Sequence, residues 1–382
     1  MGERISVNIN IPKDIKDISN AYIKANKDIF LVGGAVRDII QGKNPKDYDL
    51  VTNALPEESK EILKDFKVSD EQGRSFGVLR VYTRNEPEGY EIASYRKDIA
   101  LGRDTKGNDK KVELGNTVTI EDDCSRRDLT INALFYDIKN KEIVDLVDGF
   151  NDIENRIIKT VGNAEKRFNE DRLRILRVFR FAARTKSKIE NNTALAIKND
   201  NRLKNISGKD DVSQERIIEE LEKAWKQVDN YNEYLNMLTK FNMWNEIFND
   251  SIINTNFVKS DNFVIILANL FKLENTNNLK NKLVNNYKIS NNISKKIVFL
   301  IDFLKFNSNN VLNTHKKRSQ LSIDNNILNE WLILNDIKDD LMYKFIDYKP
   351  TVSAEKLMDL GFKGKQLGEE INRLEIINFK NK

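Results

Sequence analysis

Cysteine and histidine are almost missing from these 382 residues: there is one of each, Cys124 and His315. A single cysteine excludes an intrachain disulfide and makes a cytoplasmic setting the expectation. A single histidine excludes multi-histidine zinc centres. It also leaves a Cys-His or Ser-His-Asp nucleophile without support, since His315 stands alone. Any metal is therefore expected to have oxygen ligands. Long apolar runs are missing too. The longest, FVIILANLF at 263–271, is too short to span a membrane and reads as a buried helix. The first residues lack the charge-then-apolar layout of a signal peptide. MGERIS fits the permissive myristoylation pattern through Gly2 and Ser6, but no second anchoring signal follows, so no membrane partner is expected. Charge of one sign is not in excess either: 63 Lys and Arg face 59 Asp and Glu, a net +4. Such a balance neither requires nor excludes nucleic acid.

What is present changes character along the chain, and the length favours more than one domain. DIFLVGG reads as a short buried strand entering a tight turn, and AVRDIIQG as a helix closed by Gly42. KDYDLVT alternates as a strand does. LPEESKEILKDF starts a helix at Pro56 with acids in its first turn. SFGVLRVYTR and GYEIASYR flank NEPEG and read as a hairpin. Residues 97–123, rich in Gly, Lys and Asp, read as a mobile connection. From about 126 strands are expected to fade. EDRLRILRVFRFAAR is helical, and SQERIIEELEKAW is a helix capped by Ser213, with Arg216 where a full capping box would carry Glu. The remainder reads as helices separated by Asn-rich joints, with no repeat of fixed period.

Chemistry concentrates in LVGGAVRDIIQGKNPKDYDLVTN, residues 31–53. Asp47 and Asp49 are two apart on an expected strand, so both carboxylates face one side while Tyr48 and Leu50 turn inward. Two adjacent hard anions suit Mg²⁺, which takes a few carboxylates with waters and phosphate oxygens. The Gly33-Gly34 turn opens a helix, where backbone N–H groups favour an anion and Arg37 could add a charged clamp. Glu91, on the same face as Ala93, is the candidate third carboxylate of a two-metal site. Each feature alone has a plainer use: a solvated strand edge, a tight corner, an exposed glutamate.

Four segments then occur in the order of a known family. They are LVGGAVRD…KDYDLVTNALPEE, RRDLTINALFYD (126–137), VDLVDGFNDI…IIKTVGNAEKRFNEDRLRILRVFRFAAR (144–184) and SQERIIEEL (213–221). Over roughly residues 28–225 the chain resembles the class II tRNA nucleotidyltransferases (CCA-adding enzymes) and the related bacterial poly(A) polymerases. LMDLGFKGKQLGEEINRLE (357–375) is similar to a segment near the end of many members. The resemblance implies an α+β protein. A polymerase-beta-like catalytic head with a mixed sheet and helices (1–150) would be followed by an all-α neck (151–225) and an all-α body and tail (226–382). It implies Asp47 and Asp49 as metal ligands, and Gly33, Gly34 and Arg37 as triphosphate contacts. Arg127, Asp128 and Asn132 would shape the ribose and phosphate end. Asp171 and Arg174, with Arg177 beyond them, would meet the incoming base.

The base-reading assignment has a physical basis of its own. Asp171 and Arg174 are three apart on an expected helix and so share a face. Cytosine and adenine each offer an amino donor beside a ring-nitrogen acceptor, matching a carboxylate and a guanidinium. Uracil and guanine offer the reverse. The same helix also reads as an arginine stripe (Arg174, Arg177, Arg184) opposite a core of Leu173, Ile175 and Leu176.

The implied activity is Mg²⁺-dependent building or repair of the 3′-terminal CCA of tRNA from CTP and ATP, without a template. The acceptor arm would be gripped partly by THKKR (314–318). The alternatives are a poly(A) polymerase, an enzyme adding only C or only A, and a catalytically inactive RNA-binding protein on the same scaffold. Two departures bear on the product. EIASYR stands where the family often has Glu-x-Thr-Thr-Phe-Arg, and the segment 97–123, linked in the family to switching between C and A, is atypical.

Overall fold

The structure, a computed structural model, describes residues 2–69, 77–99, 111–203 and 212–381. These fall into two compact units, Met1–Val212 and Ser213–Lys382. The stretch expected as a neck, 151–225, is divided between them.

The first unit is laid on a mixed sheet. Its early strands are β1 (Glu3–Ser6), β2 (Phe30–Val32), β3 (Asp49–Thr52), β4 (Lys67–Ser69), β5 (Val78–Tyr82) and β6 (Tyr90–Ser94). Next come β7 (Arg96–Ile99) and β8 (Lys111–Leu114), which pair only with each other. Strands β9 (Leu134–Asp137) and β10 (Glu142–Asp145) complete the eight-stranded order β1-β10-β9-β2-β3-β6-β5-β4. Within that sheet β3 and β6 run parallel, so the chain between them must cross over. It does so through the helix at 56–62 and the β4–β5 pair, and returns by the expected β5–β6 hairpin. In SFGVLRVYTR, Ser75 and Phe76 lie outside the described residues.

One face of this sheet buries Phe30, Val32, Val51, Phe135 and Val144 against Val118, Cys124 and Val161. Alternation turns Leu31, Leu50 and Ile92 to the opposite face, where they are also buried. That face is tied to helix α1 (Lys13–Lys24), whose Asp14 accepts from Thr83 Oγ1 at 2.6 Å and Tyr90 Oη at 3.1 Å. The remaining helices of the first unit are α2 (Gly34–Ile40), α3 (Pro56–Ile62), α4 (Ile120–Ser125), α5 (Gly149–Glu154), α6 (Ala164–Glu170), α7 (Leu173–Thr185) and α8 (Asn191–Asn199).

Two expectations are corrected here. Strands do not fade at 126, because β9 and β10 follow and β9 lies inside the sheet. All four residues of β9 are buried, so the alternation that betrays a strand is absent from LFYD. Residues 97–123 are not simply a connection. Their described parts hold most of β7, all of β8 and most of α4, while 100–110 lie outside the described residues.

The second unit is helical in its described residues. It begins with α9 (Gln214–Gln227), capped by Ser213, whose Oγ accepts from Arg216 N at 3.4 Å. Then come α10 (Tyr231–Lys240), α11 (Trp244–Ile247), α12 (Phe263–Leu270), α13 (Thr276–Asn281), α14 (Asn291–Phe303) and α15 (Val311–Gln320), with further helices to Asn381. FVIILANLF is the buried helix expected, with all of α12 but Val264 enclosed. No helix among the described residues is long and apolar enough to cross a membrane. THKKR lies in α15, but Arg318 does not face solvent as an RNA contact would. It is buried and donates to Ile323 O (2.9 Å), Ile346 O (2.6 Å) and Asn325 Oδ1.

Candidate active site

Strand pairing explains why a glycine turn and two aspartates sit so near each other in sequence. In the antiparallel β2–β3 pair Val32 stands opposite Asp49, so the turn leaving β2 and the start of β3 share one end of the sheet. In the parallel β3–β6 pair Asp49 stands opposite Glu91. Asp47 precedes the strand rather than lying in it, since β3 begins at Asp49. Leu50 is buried as expected, and Tyr48 is half-buried with its ring edge-on to Tyr90 at 6.5 Å.

Gly33 caps α2 at φ +68° and ψ −130°, a conformation that a side chain would strain. A Cβ there would lie 4.0 Å from Arg127 Nη1, and one on Gly34 would lie 3.5 Å from Arg37 Nη2. Two guanidinium groups thus stand at the turn. Arg37 does so from beneath rather than as an open clamp. It is 2% exposed, donates from Nε and Nη2 to Asp38 Oδ1 (2.9 and 2.7 Å) and from Nη1 to Asn132 Oδ1, and lies 5.0 Å from the Phe181 ring centroid.

Asp49 is exposed to solvent at the start of β3, although protein atoms crowd its carboxyl. Burial pushes its carboxyl up to about 6, and the charges of Glu91 and Asp47 push the same way against the pull of Arg127. A cation between these groups would relieve that repulsion. No group of three or more His, Cys, Asp or Glu side chains is gathered for a metal among the described residues. Glu91 is instead ion-paired with Arg80. The fit is therefore to Asp47 and Asp49 as a two-carboxylate seat, which suffices for Mg²⁺ when phosphate and water complete the shell.

The RRDLTIN residues and α7 close the site into one polar network. Asp128 Oδ1 accepts from Leu129 N at 2.8 Å, and Asn132 Nδ2 lies 3.4 Å from the same oxygen. Arg177 Nε donates to Asp128 Oδ2 at 2.6 Å. Burial alone would raise the Asp128 carboxyl, but Arg177 and these hydrogen bonds hold it below its ordinary value. Further along α7, Arg184 Nη2 reaches Asp38 Oδ2 at 3.0 Å. Of the arginine stripe, Arg184 thus reaches α2 and Arg177 reaches Asp128, while Leu173, Ile175 and Leu176 are buried.

Asp171 and Arg174 are brought together, but not on one helix face. Asp171 is extended (φ −158°) in the joint between α6 and α7, with Oδ1 accepting from Leu173 N at 3.1 Å. Arg174 N donates back to Asp171 O at 3.1 Å. The Arg174 guanidinium reaches Glu170 Oε2 (2.8 Å), Arg167 O (3.1 Å) and Arg126 O (2.9 Å). Asp38, which holds Arg37 and Arg184, and Asp123, which holds Arg126 and Arg127, are additions to the residues expected from sequence. Their signal was spacing: Asp38 is next to Arg37, and Asp123 precedes Arg126 and Arg127 by three and four residues.

Comparison with known proteins gives the family and the fold. Residues 29–159 match the model of the Poly A polymerase head domain, which sets the class of the first unit. The CCA-adding enzyme of Ligilactobacillus salivarius is 34% identical over 309 residues, 76% of this chain and 70% of that protein. Poly(A) polymerase I of Salmonella typhimurium is 31% identical over 246 residues, 61% of this chain and half of that one. The crystal structure of the Bacillus stearothermophilus CCA-adding enzyme in complex with CTP shares the fold. Its TM-score is 0.65 at 20% identity, covering 96% of this chain and 92% of that one. The chain belongs to the family of CCA-adding enzymes and bacterial poly(A) polymerases.

Proposed function

We propose that the chain is a tRNA nucleotidyltransferase that adds or repairs the 3′-terminal CCA from CTP and ATP without a template. The observation carrying this reading is the placement of Asp49 and the Gly33 turn on paired strand ends, with Arg127 beside the turn. In the reaction the tRNA 3′-oxygen forms a bond to the nucleotide α-phosphorus, the bond from that phosphorus to the bridging α–β oxygen breaks, and pyrophosphate leaves. The hydroxyl proton passes to an Asp49 carboxylate oxygen. Backbone N–H groups at Gly33 and Gly34 and the Arg127 guanidinium hold the triphosphate, with the Arg37 charge beneath them. Asp128 and Asn132 shape the ribose end, and Asp171 with Arg174 reads the base. Asp47 and Asp49 would hold Mg²⁺, with Glu91 in a supporting position. A bound Mg²⁺ supplies neutralisation of the triphosphate charge.

Within this proposal the head (1–150) performs chemistry, 151–225 selects the base and 226–382 holds tRNA. The protein would act in the cytoplasm. Poly(A) synthesis is the second reading, favoured by the likeness to Poly(A) polymerase I. Incubation of tRNA lacking CCA with each labelled nucleotide, singly and together, separates the two. CCA addition predicts growth by three residues and arrest. A ladder built from ATP alone would establish the second reading, and no growth with any nucleotide would sink both.

A further inference from the structure

We infer that Asp123 is a positioning residue for nucleotide binding, and that it acts by fixing which edge of Arg127 faces the glycine turn. The inference rests on the proposed function. Asp123 is 0% exposed in α4, and an ionised carboxylate so enclosed requires several strong donors. It has them on both oxygens. Oδ1 accepts from Arg126 Nε (2.9 Å) and Nη2 (2.6 Å) and from Arg96 N (3.2 Å). Oδ2 accepts from Arg127 Nε (3.2 Å) and Nη2 (2.9 Å).

The side-on grip of Arg127 matters because a guanidinium has three nitrogens. With Nε and Nη2 committed to Asp123, the edge bearing Nη1 is left to point at the turn. There Nη1 lies 3.4 Å from Asn132 O and 4.0 Å from where a Gly33 Cβ would be. The Phe135 ring, 5.0 Å from Cζ, supports the plane of the group from one side. Two arginines share one carboxylate, so the cluster keeps a net positive charge, and that surplus faces the place proposed for the triphosphate. The grip on Arg126 bears on the base end as well, because the Arg126 carbonyl receives Arg174 Nη2. The bond from Arg96 N ties the root of β7 to the same anion.

The test is equilibrium binding of ATP and CTP with Mg²⁺ to the full chain, wild type and variants, with melting temperatures measured in parallel. Asp123→Asn should weaken binding about tenfold, as loss of a charge-assisted hydrogen bond does. In an Arg127→Ala background the same change should weaken it less than about twofold. Its melting loss should persist in both backgrounds. Arg127→Lys keeps the charge but cannot take the carboxylate through two nitrogens of one plane. It should lose binding about tenfold too, and it serves where Asp123→Asn does not fold. Binding by Asp123→Asn or Arg127→Lys within about twofold of wild type overturns the inference. So does a loss from Asp123→Asn that is equally large without Arg127. A wild-type protein that binds neither nucleotide overturns the functional reading together with the inference.

Discussion

Asp49 sits under opposed demands: a carboxylate proposed to hold a cation is pressed by its surroundings to keep a proton. Its ordinary value of 3.8 is raised to about 6 by burial and by Glu91 and Asp47. A raised carboxyl contributes stability that is present below the unfolded value and is lost as pH rises through the folded one. Melting of the metal-free protein should therefore fall, relative to Asp49→Asn, as pH rises through about 6. Mg²⁺ must displace that proton, so its affinity for the wild type should weaken below the same pH. Equal pH slopes for both proteins would remove Asp49 as the titrating group. Asp171 carries a different claim. If it accepts from the amino group of C or A, Asp171→Ala should narrow the preference for CTP and ATP over UTP and GTP about ten- to a hundredfold. Values of kcat/KM for all four nucleotides, on tRNA ending just before the CCA, measure this. Undiminished rejection of UTP would move base choice elsewhere.

At the scale of elements, the strand-to-helix corner at Gly33 does most to bring the site together. A substituent at φ +68° strains the backbone, and Gly33→Ala should cost about 1–3 kcal/mol of stability. It should also weaken nucleotide binding while leaving the second unit folded. Denaturant unfolding and nucleotide titration would show this, and an unchanged midpoint would mean that the corner adapts. The same corner shows what was legible in the sequence. Gly-Gly after a buried run, Pro56 before acids and Ser213 before QERII are signals confined to one turn, and each marks the element observed. The adjacency of Gly33 and Asp49 comes from pairing across strands, which spacing along the chain does not state. Strand β9 escapes because its four buried residues show no alternation. EDRLR has helical spacing and predicts Asp171 on a helix, whereas its extended backbone lets its side chain accept from Leu173 N. The sequence predicts Arg37 as a triphosphate clamp and Arg318, in THKKR, as a contact for tRNA. Burial of Arg37 against Asn132, and of Arg318 against the Ile346 carbonyl, depends on distant residues that no local pattern reveals.

At the scale of the whole molecule, chemistry and grip are proposed to reside in separate units, which makes them separable by experiment. With Arg318 buried, another basic surface of the second unit must meet RNA if that unit holds it. A groove of about 610 Å³ in this unit is lined by Lys280, Lys295, Lys305 and Lys317 over a floor that includes Phe299 and Phe303. Its acid, Asp302, accepts from Thr276 Oγ1 at 2.6 Å. Lysines projecting from α14, α15 and the joint after α14 suit a sugar-phosphate backbone, which is bound by charge and shape rather than by sequence. Replacing Lys295, Lys305 and Lys317 by Gln should weaken tRNA binding and make it less dependent on salt. Each lost phosphate contact should flatten the slope of log affinity against log salt by about 0.7–0.9. ATP and CTP binding should stay at the wild-type level, because these residues lie in Ser213–Lys382 and the proposed triphosphate contacts in Met1–Val212. The measurement is tRNA affinity at several salt concentrations alongside nucleotide affinity at one. A triple variant with the wild-type salt slope would take the groove out of the RNA surface, and one that lost nucleotide affinity as well would show that the two tasks are not divided as proposed.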